Sequence, residues 1–169
     1  MAGRLKTLPG LLVVVSLVVA GCTAPREITV EARNEELVRR MNAEVWNKGN
    51  LETLDDFFSP GVVQHFLPDG SEIKGLDQLR DQIRSHRESF PDWAEEIRRI
   101  VAGEDLVAIH FVSTGTNAGS FLGHPPTGKQ IHINEMSIFR IVDGKIVEQW
   151  LIPDVLSLNR QLGFIAPSD

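Results

Sequence analysis

The chain has 169 residues, with 17 Lys and Arg against 23 Asp and Glu, a formal net charge of −6, and one cysteine, Cys22. An acidic chain without a basic run speaks against nucleic acid as a partner, since phosphate binding needs clustered Lys and Arg. A single cysteine excludes an internal disulfide, so core packing alone must hold the fold.

The first 21 residues read as a signal sequence. Arg4 and Lys6 form a basic start, and Leu11 to Ala20 is an apolar run well short of the ~20 residues that span a bilayer. It ends in Val19-Ala20-Gly21-Cys22, an aliphatic residue and two small ones before a cysteine, which resembles the lipobox of bacterial lipoproteins. The resemblance implies cleavage before Cys22, acylation of that cysteine (palmitate among the chains), and a protein anchored in the bacterial cell envelope, facing the periplasm or exterior. Without Arg4 and Lys6 there remain 15 basic and 23 acidic residues, a net charge of −8. Membrane contact is therefore expected from the acyl chains rather than the protein surface. Residues 22–30 form a tether, and 31–169 are long enough for one domain with a sizeable core.

In that domain, Leu37, Val38, Met41, Val45 and Trp46 recur at helical spacing and predict a helix over Glu31 to Asn47. Lys48-Gly49-Asn50 stops it, and Asn50 is placed to cap a short second helix, Leu51 to Phe58. Ser59-Pro60-Gly61 reads as a turn, Val62 to Leu67 as a strand, and Pro68-Asp69-Gly70 as another turn. The stripe Leu76, Leu79, Ile83, His86 and Phe90 predicts a third helix, ended by Pro91. Strands follow at Trp93 to Ala102, Asp105 to Thr116, Lys129 to Val142 and Lys145 to Leu151, with a Gly- and Pro-rich rim loop from Asn117 to Gly128. A last helical turn, Val155 to Gln161, ends at Gly163. Helices first and antiparallel strands afterwards predict an α+β domain with helices on one face of a sheet, and a ligand site in the enclosed wedge.

The last hairpin carries the most chemistry. Side chains two apart in a strand share a face, so Glu148, Trp150, Ile152 and Asp154 project together, a natural lining for a pocket. The turn at Asp143-Gly144 sets the register. A two-residue turn pairs Val142 with Lys145 and brings Ile133 opposite Asp154. A three-residue turn with Gly144 as a left-handed bulge pairs Ile141 with Lys145 and brings His132 opposite Asp154. The second is preferred, because it sets Arg140 and Glu148 diagonally on one face as a structural ion pair and joins His132 and Asn134 to the Asp154 face.

Phe58-Ser59-Pro60, His65, Phe90-Pro91-Asp92, Gly115-Thr116, Pro125-Pro126-Thr127-Gly128-Lys129, Gly144-Lys145-Ile146, Glu148, Trp150, Asp154 and Gln161-Leu162-Gly163 stand in this order. Together they resemble the SnoaL-like polyketide cyclase, or ester cyclase, family of the nuclear-transport-factor-2-like fold, over about Glu35 to Gly163. The resemblance implies a cone of three helices cupped by a curved, mostly antiparallel sheet, a deep apolar cavity, and a homodimer or higher homo-oligomer. It implies an intramolecular aldol condensation without metal or cofactor, on a small hydrophobic substrate, with Asp154 at the position of the family's general acid/base.

On the residues themselves, a carboxylate beside Trp150 in an apolar cavity is a fitting proton acceptor, and the competing reading makes Asp154 the cap of the helix starting at Val155. His132 or His65 would polarise a substrate carbonyl, Trp150 would form a wall, and Asn134 and His110 complete the candidate lining. His86, on the third helix's apolar stripe, reads as a packed core residue. No His pair at i, i+4 spacing and no cysteine within the domain suggest a metal site, and no Gly-x-Ser-x-Gly elbow suggests a serine hydrolase. Two further readings remain: a lipid-anchored binder of a small hydrophobic ligand, and a structural subunit whose open sheet face docks a partner.

Overall fold

A computed structural model describes residues 28–166. Cys22, the signal sequence and most of the tether lie outside the described residues. The first helix, α1 (Val30–Met41), starts at Thr29, whose hydroxyl accepts the Ala32 amide at 3.3 Å. It buries Asn34, Val38 and Met41 and then widens into a π-helical turn, Asn42–Asn47, closed by Lys48 N–H on the Ala43 carbonyl at 3.2 Å. This wide turn directs both Asn42 and Trp46 toward the interior of the domain. A 3₁₀ turn (Leu51–Thr53) leads into the one-turn helix α2 (Leu54–Phe57), and Asn50 makes no side-chain cap there.

Strand β1 (Phe58–Phe66) is longer than expected. Ser59-Pro60-Gly61 lies within it, at the place where its register with the last strand shifts between Phe58 and Val63. Pro is tolerated at such an interruption because no ladder bond is demanded of it. A short strand not anticipated from the sequence, β2 (Ser71–Lys74), pairs with β1 as a sheet edge. Helix α3 (Leu76–Ser89) buries Leu79 and Ile83 on its apolar stripe and stops before Phe90-Pro91. Then come β3 (Ala94–Ala102), β4 (Leu106–Thr116), β5 (Gln130–Val142), β6 (Lys145–Pro153) and α4 (Val155–Leu162), the last closed by Gly163 at φ +83°.

The six strands form one mixed sheet in the order β2-β1-β6-β5-β4-β3, antiparallel throughout except for β1 beside β6. The helices cover one face, and the expected α+β class stands. A main core joins α1, α2 and α3 to the sheet through residues such as Val38, Leu54, Phe57, Ile83, Val107 and Phe139. A second cluster, Phe90, Trp93, Ile131, Ile133, Leu158 and Leu162, seals the end where α4 returns. No helix among the described residues is long and apolar enough to cross a membrane.

Strand β5 shows how the two sheet faces are assigned. Ile131, Ile133, Glu135, Ser137, Phe139 and Ile141 are buried against the helices, whereas His132, Asn134, Met136, Ile138 and Arg140 are exposed on the other face. The β5–β6 hairpin closes with the two-residue turn: Val142 pairs with Lys145, and Asp143 and Gly144 both take positive φ, +50° and +73°. One step later the register shifts. Ile141 pairs with Ile146 but Arg140 pairs with Glu148, so Val147 is an extra residue in β6. Ile138 thus opposes Trp150, and the Asp154 amide bonds the Asn134 carbonyl at 3.1 Å. The preferred three-residue turn, with His132 opposite Asp154, is not formed.

The rim loop is held by Asn117, which is fully buried. Its amide nitrogen donates to the Gly119 carbonyl at 2.8 Å, and its oxygen accepts the Thr127 amide and hydroxyl at 2.9 and 3.0 Å. Gly119 lies so close to the Glu88 carbonyl that no Cβ fits.

Candidate active-site cavity

Between the helices and the buried sheet face lies a cavity of about 660 Å³. Its walls are mostly apolar: Met41 and Trp46 from the first helical stretch, Phe66 from β1, Trp93 beside β3, Ile109 and Phe111 from β4, Ile133 and Phe139 from β5, and Leu151 from β6. Pro68, Asp69 and Ser71 from the β1–β2 turn and Ser120, Phe121 and Leu122 from the rim loop border it as well.

Two carboxyls stand inside it. Glu135, on β5, is 6% exposed, and its Oε1 has no partner in the protein. Burial pushes this carboxyl up to about 7, and the Ser113 hydroxyl nearby offsets part of that rise. Glu95, on β3, accepts from the Trp93 indole N–H at 3.1 Å and from the Asn42 side-chain amide. Its backbone is clamped by Asn47, which accepts its N–H at 2.6 Å and donates to its carbonyl at 3.0 Å. Burial first, and then repulsion from Glu135, pushes Glu95 up to about 8, against the lowering effect of its two donors. Glu95 is half-buried and is among the residues that line the cavity.

His86 of α3 forms the opposite wall. Its ring meets Trp93 edge-on at 4.2 Å and lies 5.3 Å from Phe90, and its Nε2 has no partner. Burial, with the neighbouring Arg87 charge, lowers it to about 4, so it is neutral at physiological pH. It is packed, as expected, and it also faces the cavity. A third polar feature is a chain from Gln64 Nε2 to Gln149 Oε1 at 3.1 Å and from Gln149 Nε2 to Ser137 Oγ at 2.9 Å. The free Gln64 Oε1 and Gln82 Oε1 are buried without partners. An apolar chamber with a few convergent, unsatisfied polar atoms has room and hydrogen-bonding partners for a ligand that would satisfy them.

None of the six residues expected from sequence to line this cavity does so. Asp154 is exposed, and its carboxylate caps α4 by accepting the Ser157 amide at 2.9 Å. His132 is exposed on the outer face, with its backbone N–H and carbonyl both bonded to the Gln161 side chain at 2.8 and 3.0 Å. His110 and Asn134 bond each other on that face, Nε2 to Oδ1 at 3.0 Å. His65 stacks on Trp150, 5.5 Å between ring centres, and its two nitrogens reach Glu72 at 3.1 Å and Glu148 at 2.9 Å. Arg140 joins them, 3.5 Å from Glu148 and 5.6 Å from the Trp150 ring, so the anticipated Arg140–Glu148 contact forms as a structural one.

His132 and Asn134 lie on the exposed parity of β5, and for the β6 residues Trp150 and Asp154 the physical reason is Val147. Without it, every second residue after the buried Ile146 would face inward, which includes Glu148, Trp150, Ile152 and Asp154. The bulge reverses the alternation, so Gln149, Leu151 and Pro153 line the cavity instead. The acids that sequence reading missed did leave a signal. Glu95 stands between Trp93 and Ile97, and Glu135 between Ile133 and the inward Ser137 and Phe139: a carboxylate interrupts an apolar alternation in both strands. Among the described residues, no group of three His, Cys, Asp or Glu side chains is placed to hold a metal ion.

Comparisons with known proteins agree with this architecture. The family model described as SnoaL-like polyketide cyclase matches residues 36–162. The aklanonic acid methyl ester cyclase DnrD of Streptomyces peucetius is 30% identical over 135 residues, covering 76% of this chain and 89% of that protein. The nogalonic acid methyl ester cyclase of Streptomyces nogalater is 30% identical over 131 residues, covering 73% and 93%. Among solved structures, AclR of Streptomyces galilaeus, a putative hydroxylase, superposes with a TM-score of 0.73 at 29% identity, covering 82% of this chain and 86% of that one. A putative SnoaL-like polyketide cyclase from Jannaschia sp. CCS1 gives a TM-score of 0.76 at 24% identity, covering 86% and 100%, a likeness of fold.

Proposed function

The chain belongs to the SnoaL-like polyketide cyclase family, and we propose that it is a cofactor-independent enzyme moving protons on a small apolar carbonyl compound held in the cavity, with Glu135 as the acid/base group. The observation that carries this reading is the Glu135 carboxyl itself: buried, one oxygen unpartnered, and titrating near neutrality because of its burial. Such a group both takes and returns a proton at working pH. In this reading Glu135 removes a proton from the carbon beside a substrate carbonyl, and the C–H electron pair moves into an enolate. The enolate carbon attacks a second carbonyl of the same molecule, forming the C–C bond. The resulting alkoxide takes its proton from Glu95, which keeps its own to higher pH. Glu135 then gives up the proton it took while Glu95 regains one, through water, so both groups are restored for the next turnover. In this reading neutral His86, whose Nε2 has no partner in the protein, carries its proton there and donates it in a hydrogen bond to the carbonyl oxygen.

The two cyclases named above act on methyl esters, so aklanonic acid methyl ester is a suitable first substrate. Incubation in D₂O, with chromatography for ring closure and mass spectrometry for deuterium gain, reads both proton removal and cyclisation. Glu135→Gln is expected to lower the rate by at least about 10²-fold while the fold is kept. An unchanged rate would remove Glu135 from the mechanism. A second reading, a ligand binder without turnover, is favoured by the use of Asp154 as a helix cap. A bound ligand that never exchanges its protons would establish it.

The sequence Val19-Ala20-Gly21-Cys22 supports a further part of the proposal, that the protein is tethered in the cell envelope by lipid on Cys22. Cys22→Ala should lose labelled palmitate and leave the membrane fraction. Labelling that survives the substitution would refute the anchor.

A further inference from the structure

Resting on that cavity reading, we infer that the cavity is a charge filter that admits neutral apolar ligands and shuts out anions, whether carboxylate, sulfonate or phosphate. Its titratable lining consists of Glu95 from β3, Glu135 from β5, Asp69 from the β1–β2 turn and His86 from α3, and no Lys or Arg is among the lining residues. The groups facing Glu95 are Trp93, Asn42 and Glu135, and those facing Glu135 are Ser113 and Glu95. None carries a positive charge.

Cations adjoining wall residues in sequence are engaged elsewhere: Lys74 pairs with Glu72 at 2.7 Å, Arg84 with Asp81 at 2.6 Å and Arg140 with Glu148 at 3.5 Å, and Arg40 lies over the Phe57 ring. Arg87, beside His86, donates to the Trp46 carbonyl at 2.7 Å and the Pro91 carbonyl at 3.3 Å. Lys145 donates to the Asp55 and Asp56 carbonyls at 2.6 and 2.9 Å. At the cavity's border Asp69 is kept ionised, its carboxyl held low by bonds from Ser71.

An entering anion would have to shed its hydration among aromatic and aliphatic walls without meeting a counter-ion. It would also find acceptors. Glu135 Oε1, Gln64 Oε1 and Gln82 Oε1 are all buried and unpartnered, and each wants a donor. A neutral ligand with a hydroxyl group supplies one, and an anion repels them. The exclusion deepens as the two buried acids lose their protons.

N-phenyl-1-naphthylamine and 1-anilinonaphthalene-8-sulfonate test this directly, because they share one ring system and differ by a sulfonate ionised at every pH used. Binding is read from probe fluorescence and energy transfer from Trp46 and Trp93, and competition with the neutral probe defines the cavity-bound fraction. The neutral probe should bind. The sulfonate should compete roughly 30-fold or more weakly at pH 9, with the gap about tenfold smaller at pH 5.5, as the acids regain their protons. In Glu95→Gln/Glu135→Gln the gap should no longer depend on pH. Equal affinity of the two probes, a wild-type gap indifferent to pH, or failure of the neutral probe to enter would each overturn the inference. If the double variant does not fold, the wild-type series decides alone. Because the readout is binding, loss of catalysis in Glu135→Gln has no bearing on it, and a protein without turnover can still pass this test.

Discussion

Raising the pH from 6.5 to 9 should destabilise the native protein, and replacing Glu95 and Glu135 by Gln should abolish that loss. In the unfolded chain both carboxyls ionise near 4.5, whereas the folded protein holds them to about 8 and about 7. Between these limits the folded state binds more protons than the unfolded one, so stability falls as the pH rises and levels off above about 8. Over the whole window the shift corresponds to about 3 kcal/mol for Glu135 and on the order of 5 for Glu95, part of the latter being their mutual repulsion. Most of the Glu135 loss is complete by pH 6.5, which leaves about 1 kcal/mol from it and about 2 from Glu95 in the range chosen. For a domain of this size a loss of about 3 kcal/mol lowers Tm by roughly 10 °C. Two features isolate the effect: the chain has no tyrosine, and His86, lowered to about 4, is neutral in the folded protein above 6.5, so its unfolded-state titration offsets only about 0.4 kcal/mol of the change. Below 6.5 His86 acts in the opposite sense, since the unfolded chain takes up a proton that the folded one refuses, and stability on its account falls down to about pH 4. Calorimetric melting at constant ionic strength would measure the series. Parallel Tm curves for wild type and Glu95→Gln/Glu135→Gln between pH 6.5 and 9 would refute the burial of charge on which the site rests.

Asp154→Ala should cost about 1 kcal/mol through loss of the α4 cap, while Asp154→Asn, which still caps, should cost little. Both should leave turnover and ligand affinity intact, and a large rate loss in the well-folded Asn variant would return this residue to the mechanism. Gly119→Ala should cost on the order of 1–3 kcal/mol, because its Cβ meets the Glu88 carbonyl and backbone cannot yield as a side chain does. Hydrogen exchange should then quicken across Asn117 to Lys129, and unchanged protection there would show that the loop is anchored by something other than this close approach.

The elements were largely legible because their signals are strong and local. The α3 stripe, the two apolar alternations around the rim loop, and Gly163 closing α4 each rest on spacing that tertiary contacts do not override. Strand β2 was not legible: Ser71-Glu72-Ile73-Lys74 is mostly exposed and polar, and it is a strand only because β1 offers it an edge. The site was misread for a sharper reason. Its chemistry was assigned to the face that Glu148, Trp150 and Asp154 share with His132 and Asn134; these residues do share one face, and that face is the outer one. A single extra residue inverts a strand's faces, and nothing in Ile146-Val147-Glu148 distinguishes a regular strand from a bulged one, since Val147 suits both.

The inward acids were open to a different argument, one that does not depend on register. Strand β5 reads Ile131, Ile133, Glu135, Ser137, Phe139, Ile141 along its apolar parity, and Trp93, just before β3, leads the same parity into Glu95 and Ile97. Where a carboxylate occupies a core position, either the strand is misassigned or the protein tolerates a costly desolvation. The strands were assigned correctly, so the second alternative holds at both places. Two such positions on one sheet face, on either side of β4, whose inward Phe111 lines the same cavity, mean that the hollow beneath them is required by the acids as much as it contains them. A solid core would leave Glu135 Oε1 with nothing to bind, whereas a chamber open to a ligand gives the same atom its use.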